Sequence, residues 1–222
     1  LTALARTGVN DYPVTAADNA AYIAGARNLE QSQGGTLRNR NYLFGDVVNS
    51  SPAYVKDTET IYVGANDGML HAINAVNGSE LFTFIPSGIN WTNLGQISRP
   101  DYAHRFFVDG PMVVSTRAQT PDQNVLVGAL GKGGKGLFAL DVTDPANFGA
   151  RSYKWETSAS SANMGLVQSR PVIAKLNDGS TAVIVANGIN STNGHAVLMM
   201  YDLQTGALIK EIDTGVDRKS VV

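Results

Sequence analysis

The chain has 222 residues, 43% of them hydrophobic and 16% charged, with a formal net charge of −2. That composition describes a folded domain with a substantial core and argues against disorder. There is no basic run to hold nucleic acid, no cysteine for disulfides or thiolate sites, and no apolar stretch near the roughly 18 residues of a membrane-spanning helix.

The N-terminal stretch LTALARTGVN lacks the basic-then-apolar layout of a secretory signal, so an exported protein would present mature or internal sequence here. Residues 1–35 read as a helical or linker segment. In TAADNAAYIAGARNLE, Thr15 stands as a cap with Asp18 three residues on, followed by alanine-rich helical sequence. GTLRNRNYLFGDVV then leads into the first repeat, with Leu43, Phe44 and Val47 expected as buried anchors.

From there the sequence repeats. NSSPAYV, DGPMVV and SRPVIA each open a unit, their prolines Pro52, Pro111 and Pro171 lying about 60 residues apart, longer than a simple propeller blade of about 40 to 45 residues. Each unit continues with a β-rich run ending in small residues (TIYVGA, NVLVGA, AVIVANG), a glycine turn and a third strand (MLHAIN, GLFALD, AVLMMYD). A fourth segment closes it (LFTFIP, SYKWET, ALIKEID). Short Val, Ile, Phe and Tyr runs between Asn-Asp-Gly, Asn77-Gly78 and Thr205-Gly206 turns predict antiparallel hairpins, because Asn and Gly accept positive φ. The expected fold class is all-β, a β-propeller of four-stranded antiparallel blades, with about three blades of a larger ring spanning 36–222. The blades are expected at about 50–86, 110–157 and 169–214.

Extra length falls in an insertion at 87–109 and a second around SASSANMGLVQ. Rim loops of this kind carry function, so Asn90, Trp91, Tyr102, His104 and Arg105 are the candidate partner-binding residues. The segment from Asn90 to Arg99 is expected to be replaceable by a flexible linker without loss of the fold.

The remaining motifs have structural explanations. Gly131, Gly133 and Gly136 satisfy G-x-G-x-x-G, yet they lie between two strands where a dinucleotide site requires a helix N-terminus, and Lys132 and Lys135 complete no Walker loop. His71, His104 and His195 have no partners at ligand spacing. His71 alternates with apolar neighbours and is assigned to packing or to a hydrogen bond between blades. No G-x-S-x-G elbow is present. Asp141 and Asp202 occupy the place of Asn74, where a short polar side chain bonds turn backbone. Asp46, Asp67 and Asp109 likewise sit near turns and strand ends. Phe82, Phe84, Tyr153 and Trp155 are expected in the blade core, with Trp91 the aromatic to watch for exposure.

LRNRNYLFGDVVNSSPAYV, YVGANDGMLHAINAVNGSELFTFIPSG, RPDYAHRFFVDGPM, VLVGALGKGGKGLFALDVTDP and NGINSTNGHAVLMMYDLQTGALIKEIDTG occur in that order. They resemble successive segments of the C-terminal quinoprotein-like propeller of PilY and PilC type IV pilus proteins, over roughly residues 20–215. The resemblance implies a non-catalytic pilus biogenesis factor and tip adhesin at the surface of a Gram-negative bacterium. Such a protein counters retraction and meets pilin, minor pilins and a host-cell or surface receptor. It also implies a calcium loop downstream of Val222. The chain itself has no EF-hand-like window, and no cofactor is expected within it. Ile23-Ala24-Gly25-Ala26 stands where family members carry an Arg-Gly-Asp-like segment, so integrin-type binding is not implied. The alternatives are a pyrroloquinoline-quinone dehydrogenase and an outer-membrane assembly scaffold. Against the enzyme, the repeats lack a regular Trp-docking signature, with NGSELFTF where Thr-Gly and a closing Trp would stand.

Overall fold

A computed structural model describes residues 2–157 and 161–217. The strands form three four-stranded antiparallel sheets. The first blade runs β1 (Ala53–Val55), β2 (Thr60–Gly64), β3 (Leu70–Asn74) and β4 (Glu80–Phe84). The second runs β5 (Met112–Val114), β6 (Val125–Ala129), β7 (Leu137–Asp141) and β8 (Tyr153–Glu156). The third runs β9 (Val172–Lys175), β10 (Thr181–Ala186), β11 (His195–Asp202) and β12 (Leu208–Asp217). The expected all-β propeller architecture is therefore present.

Each repeat proline immediately precedes the innermost strand of its blade, where a missing N–H costs no central ladder bond. β1 touches β5 and β5 touches β9, so the three proline-led strands lie nearest one another and the fourth strands lie outermost. Asn74, Asp141 and Asp202 each end the third strand. Their side-chain oxygens accept backbone N–H groups of the following turn, from Val76 and Asn77, from Thr143, and from Gln204 and Thr205. A register shift recurs at the same place in every blade, between Ala72 and Ile73, Ala139 and Leu140, and Met200 and Tyr201. One extra residue in the outer strand bends it and strengthens its twist there.

Strand alternation divides the core in two. Tyr62, Leu70 and Ala72 of the first blade pack with Met112, Leu126, Phe138 and Leu140 of the second. Val125, Val127, Ala129 and Leu137 on the opposite face of the second blade pack with Val183, Val185, Val197 and Met199 of the third. Successive side chains point to opposite faces, so the middle blade is apolar on both.

The docking position facing the next blade is occupied differently in each repeat. Phe82, Trp155 and Lys210 are the cross-strand partners of the equivalent residues Ala72, Ala139 and Met200. Phe82 stacks on Phe148 at 3.6 Å between ring centroids. Trp155 is buried and donates its indole N–H to Leu203 O at 2.8 Å. One blade in three thus has a docking Trp, which explains why the sequence shows no regular signature. Tyr153, expected in the core, is 48% exposed: the register shift sets it opposite Leu140, on the other face from Trp155, with its ring 6.5 Å from that of Phe84.

Before the first blade, α1 (Ala16–Ile23) is capped by Thr15, whose hydroxyl accepts the Asp18 N–H at 3.1 Å. The helix ends well short of the run of helical sequence, with Gly25 at φ 106°. Leu43, Phe44 and Val47 are not buried anchors: they are 50%, 40% and 41% exposed. The polar groups of this segment hold it instead. Asp67 Oδ2 accepts Gly45 N–H at 2.7 Å, Asp109 accepts both Asn49 nitrogens, and Ser50 Oγ accepts Gly64 N–H at 3.0 Å.

The insertion is partly core. Its helix α2 (Trp91–Leu94) buries Leu94 completely, and Ile97 is buried beside it. Arg6 donates to Gly95 O and to Ser98 Oγ, while Arg38 N–H donates to Ser98 O at 2.8 Å. A flexible replacement of 90–99 would therefore remove core, contrary to the sequence reading. Of the second insertion, residues 158–160 lie outside the described set.

Candidate partner-binding rim

The five candidate residues distribute over three clefts that meet along the 87–109 insertion. Asn90, His104 and Arg105 line an open rim cleft of about 640 Å³ together with the glycine loop after β6. Asn90 caps α2, accepting Asn93 N–H at 2.9 Å, and its own side chain is exposed. Trp91 is half-buried, pinned by its indole N–H to Ser87 O at 3.0 Å, and turns into a separate, mainly apolar cleft of about 480 Å³. Tyr102 is half-buried, accepts Arg105 N–H at 3.0 Å and carries the Arg38 guanidinium over its ring at 4.9 Å. With His104 it lines a polar cleft of about 440 Å³.

His104 Nε2 lies 2.9 Å from Asp46 Oδ2, which also accepts Asn66 Nδ2–H at 3.0 Å. Burial works against the Asp46 carboxylate, and the bonds from Asn66 and His104 outweigh it, holding its pKa below the ordinary aspartate value. Asn66 also accepts Phe107 N–H through Oδ1 at 3.1 Å. The Asn-Asp-Gly turn thereby ties the first blade to both flanking linkers.

The glycine pattern forms a short 3-10 turn over Gly131–Gly133 followed by a loop, and not a helix N-terminus, with Gly131 and Gly136 at positive φ. At Gly133 a Cβ would fall on the carbonyl of Phe107, so the loop lies directly against the linker backbone. That close approach puts Lys132 and Lys135 on the same cleft as Arg105, a grouping invisible in the linear pattern. Lys132 Nζ sits 4.9 Å from the Phe106 ring centroid, and His104 meets the same ring edge-on at 4.9 Å.

His71 is buried, as the sequence expects, but its hydrogen-bond partners lie within its own blade and not across to another. Nδ1 is 2.6 Å from Glu80 Oε1 on β4 and Nε2 is 3.0 Å from Asp67 Oδ2 in the preceding turn. The Phe44 ring lies 4.3 Å from the imidazole. Burial disfavours the imidazolium, yet hydrogen bonds and charge from Asp67 and Glu80 prevail and raise the His71 pKa. His195 Nδ1 pairs with Asp213 at 3.0 Å on the exposed β11–β12 edge. Among the described residues, no His, Asp and Glu side chains gather as a metal-ligand cluster, and no helix is long and apolar enough to cross a membrane.

The family described as the PilY1 beta-propeller domain matches residues 43–221. A type IV pilus biogenesis factor PilY1 homolog from Xylella fastidiosa is 38% identical over 215 residues, covering 83% of this chain and 17% of the relative. The type IV pilus biogenesis factor PilY1 of Pseudomonas aeruginosa strain PAK is 36% identical over 228 residues, covering 88% of this chain and 19% of the relative. The chain thus spans less than a fifth of either curated relative. The crystal structure of the Pseudomonas aeruginosa PilY1 C-terminal domain superposes with a TM-score of 0.53 at 39% identity, over 71% of this chain and 31% of that one.

Proposed function

This chain belongs to the PilY1 beta-propeller domain family, and from that premise we propose that it is the propeller region of a non-catalytic type IV pilus biogenesis factor. The reading rests on one observation: 36 to 38% identity, over more than four fifths of this chain, to relatives named for pilus biogenesis. In it, the parent protein is exported in a Gram-negative bacterium to the periplasm, outer membrane or pilus tip. It promotes assembly, counters retraction and carries surface attachment. Pilin and minor pilins are its assembly partners, and a host-cell or surface receptor is its adhesive one. The rim bearing Asn90, His104 and Arg105 is the partner-facing side, since loops on a rigid scaffold are where recognition residues concentrate. A calcium loop downstream of Val222 belongs to the same proposal.

Surface pili sheared from a strain deleted for the parent gene, and from one restored without this region, provide the test. Loss of pili in both, with pilin still made, supports an assembly role requiring these blades. Normal pili with lost attachment shift the role to adhesion, and normal pili with normal attachment overturn the proposal. Dye reduction on adding quinone and calcium would favour the dehydrogenase instead. Capture of outer-membrane assembly proteins with unchanged pili would favour the scaffold.

A further inference from the structure

We propose that the rim cleft between residues 104–106 and the glycine loop 131–135 binds an acidic polypeptide segment, an inference that builds on the reading of this rim as the partner-facing side. Arg105, Lys132 and Lys135 converge on it although the whole chain carries a net charge of −2, and no acidic side chain lines it among the described residues. Among the described residues, none of the three cations has an ion-pair partner. The carboxylate of Glu156, beside the cleft wall, is already engaged by Ser87 and by Gly88 N–H. Asp46 is held by His104 and Asn66. The cleft therefore has cationic donors and no internal anion to satisfy them. Clustered Arg and Lys side chains recognise carboxylates through charge-assisted hydrogen bonds, the usual mode for acidic motifs.

The aromatic groups decide between an acidic peptide and an acidic glycan. A sugar ring needs an open aromatic face, but Phe106 has Lys132 over its ring and His104 against it. Trp91 is tied to Ser87 and turned into the other cleft. With Phe106 already engaged by Lys132 and His104, the cleft offers chiefly charge and amide donors, and they suit the carboxylates of an extended Asp- or Glu-bearing segment. One wall of the cleft is set by the backbone, because the loop at Gly133 lies directly on the Phe107 carbonyl.

The test uses the full-length protein and a fluorescent oligoglutamate peptide, with oligogalacturonate as the anionic glycan. The triple variant Arg105→Gln, Lys132→Gln, Lys135→Gln is compared with Lys56→Gln, Arg151→Gln, Lys175→Gln, which removes the same charge from exposed sites elsewhere. Peptide affinity is expected to fall at least about tenfold in the first and less than about twofold in the second, and to weaken with salt. Wild-type binding in the first variant, or equal loss in both, overturns the site. Oligogalacturonate bound as tightly and lost in the same variant overturns the peptide assignment. Surface pili and attachment measured in the same strains separate the two readings. Lost peptide binding with reduced piliation or attachment supports both, and lost binding with wild-type pili and attachment keeps the site but overturns its place in pilus function.

Discussion

The indole N–H of Trp155, in the outer strand of the second blade, donates to the carbonyl oxygen of Leu203 beside the third at 2.8 Å, and both residues are buried. Its ring lies over Gly206, where any side chain would collide with it. This contact joins two repeats through one side chain.

Trp155→Phe removes the donor and leaves Leu203 O buried without that partner. An unsatisfied buried polar group costs about 1–3 kcal/mol, so the urea midpoint should drop while the first two blades keep their packing. Hydrogen exchange resolved by segment should show faster opening of residues 195–207 than of 60–74. Uniform acceleration across both would mean the blades unfold as one unit and the contact is not local.

Within the insertion, core and surface should respond oppositely. Leu94→Ala opens a cavity at a fully buried site and is expected to cost about 2–5 kcal/mol. Arg105→Gln, at an exposed residue, should stay within about 0.5 kcal/mol. Matching losses in thermal denaturation would contradict the division of this segment into a buried helix and an open rim.

Gly133→Ala puts a methyl group on the Phe107 carbonyl, and backbone cannot rotate away as a side chain would. Forcing that contact should cost about 1–3 kcal/mol and displace Lys132 and Lys135. The variant is expected to lose oligoglutamate affinity although every cation is retained. Unchanged affinity and stability would show that the loop can retreat freely.

His71 makes stability depend on pH. Its folded pKa lies above its unfolded value, so the bonds to Asp67 and Glu80 contribute fully below about pH 6.5 and fade as pH rises through the raised folded pKa. Thermal midpoints should therefore decline with pH across that window, and His71→Gln should flatten the decline. A wild-type profile that rises over the same range would assign the imidazole the opposite protonation preference.

Thr15→Ala deletes the cap on α1, at a cost of about 1 kcal/mol. Proteolysis is expected to reach the first 30 residues sooner in the variant, with the blades keeping their wild-type resistance.

Much of the fold was legible in the sequence because its signals are local. The prolines mark where each blade begins, period-two alternation assigns strands to faces, and Asn74, Asp141 and Asp202 close the same turn by bonding their own neighbours. Thr15 and Asp18 set the start of α1 by the same short reach. Tertiary structure alone decided what depends on segments far apart in the chain. Leu43, Phe44 and Val47 look like core in sequence, but the segment is fastened by Asp67 and Asp109 and leaves its apolar groups half outside. The glycine pattern 131–136 reads as a turn, and only close approach to Phe107 turns it into the wall of a basic cleft with Arg105. His71 reads as a packing residue until folding sets a carboxylate at each ring nitrogen. Backbone propensity and turn chemistry act over a few residues, whereas a charge or hydrogen-bond partner acts through space, and the chain order does not record which distant groups will meet.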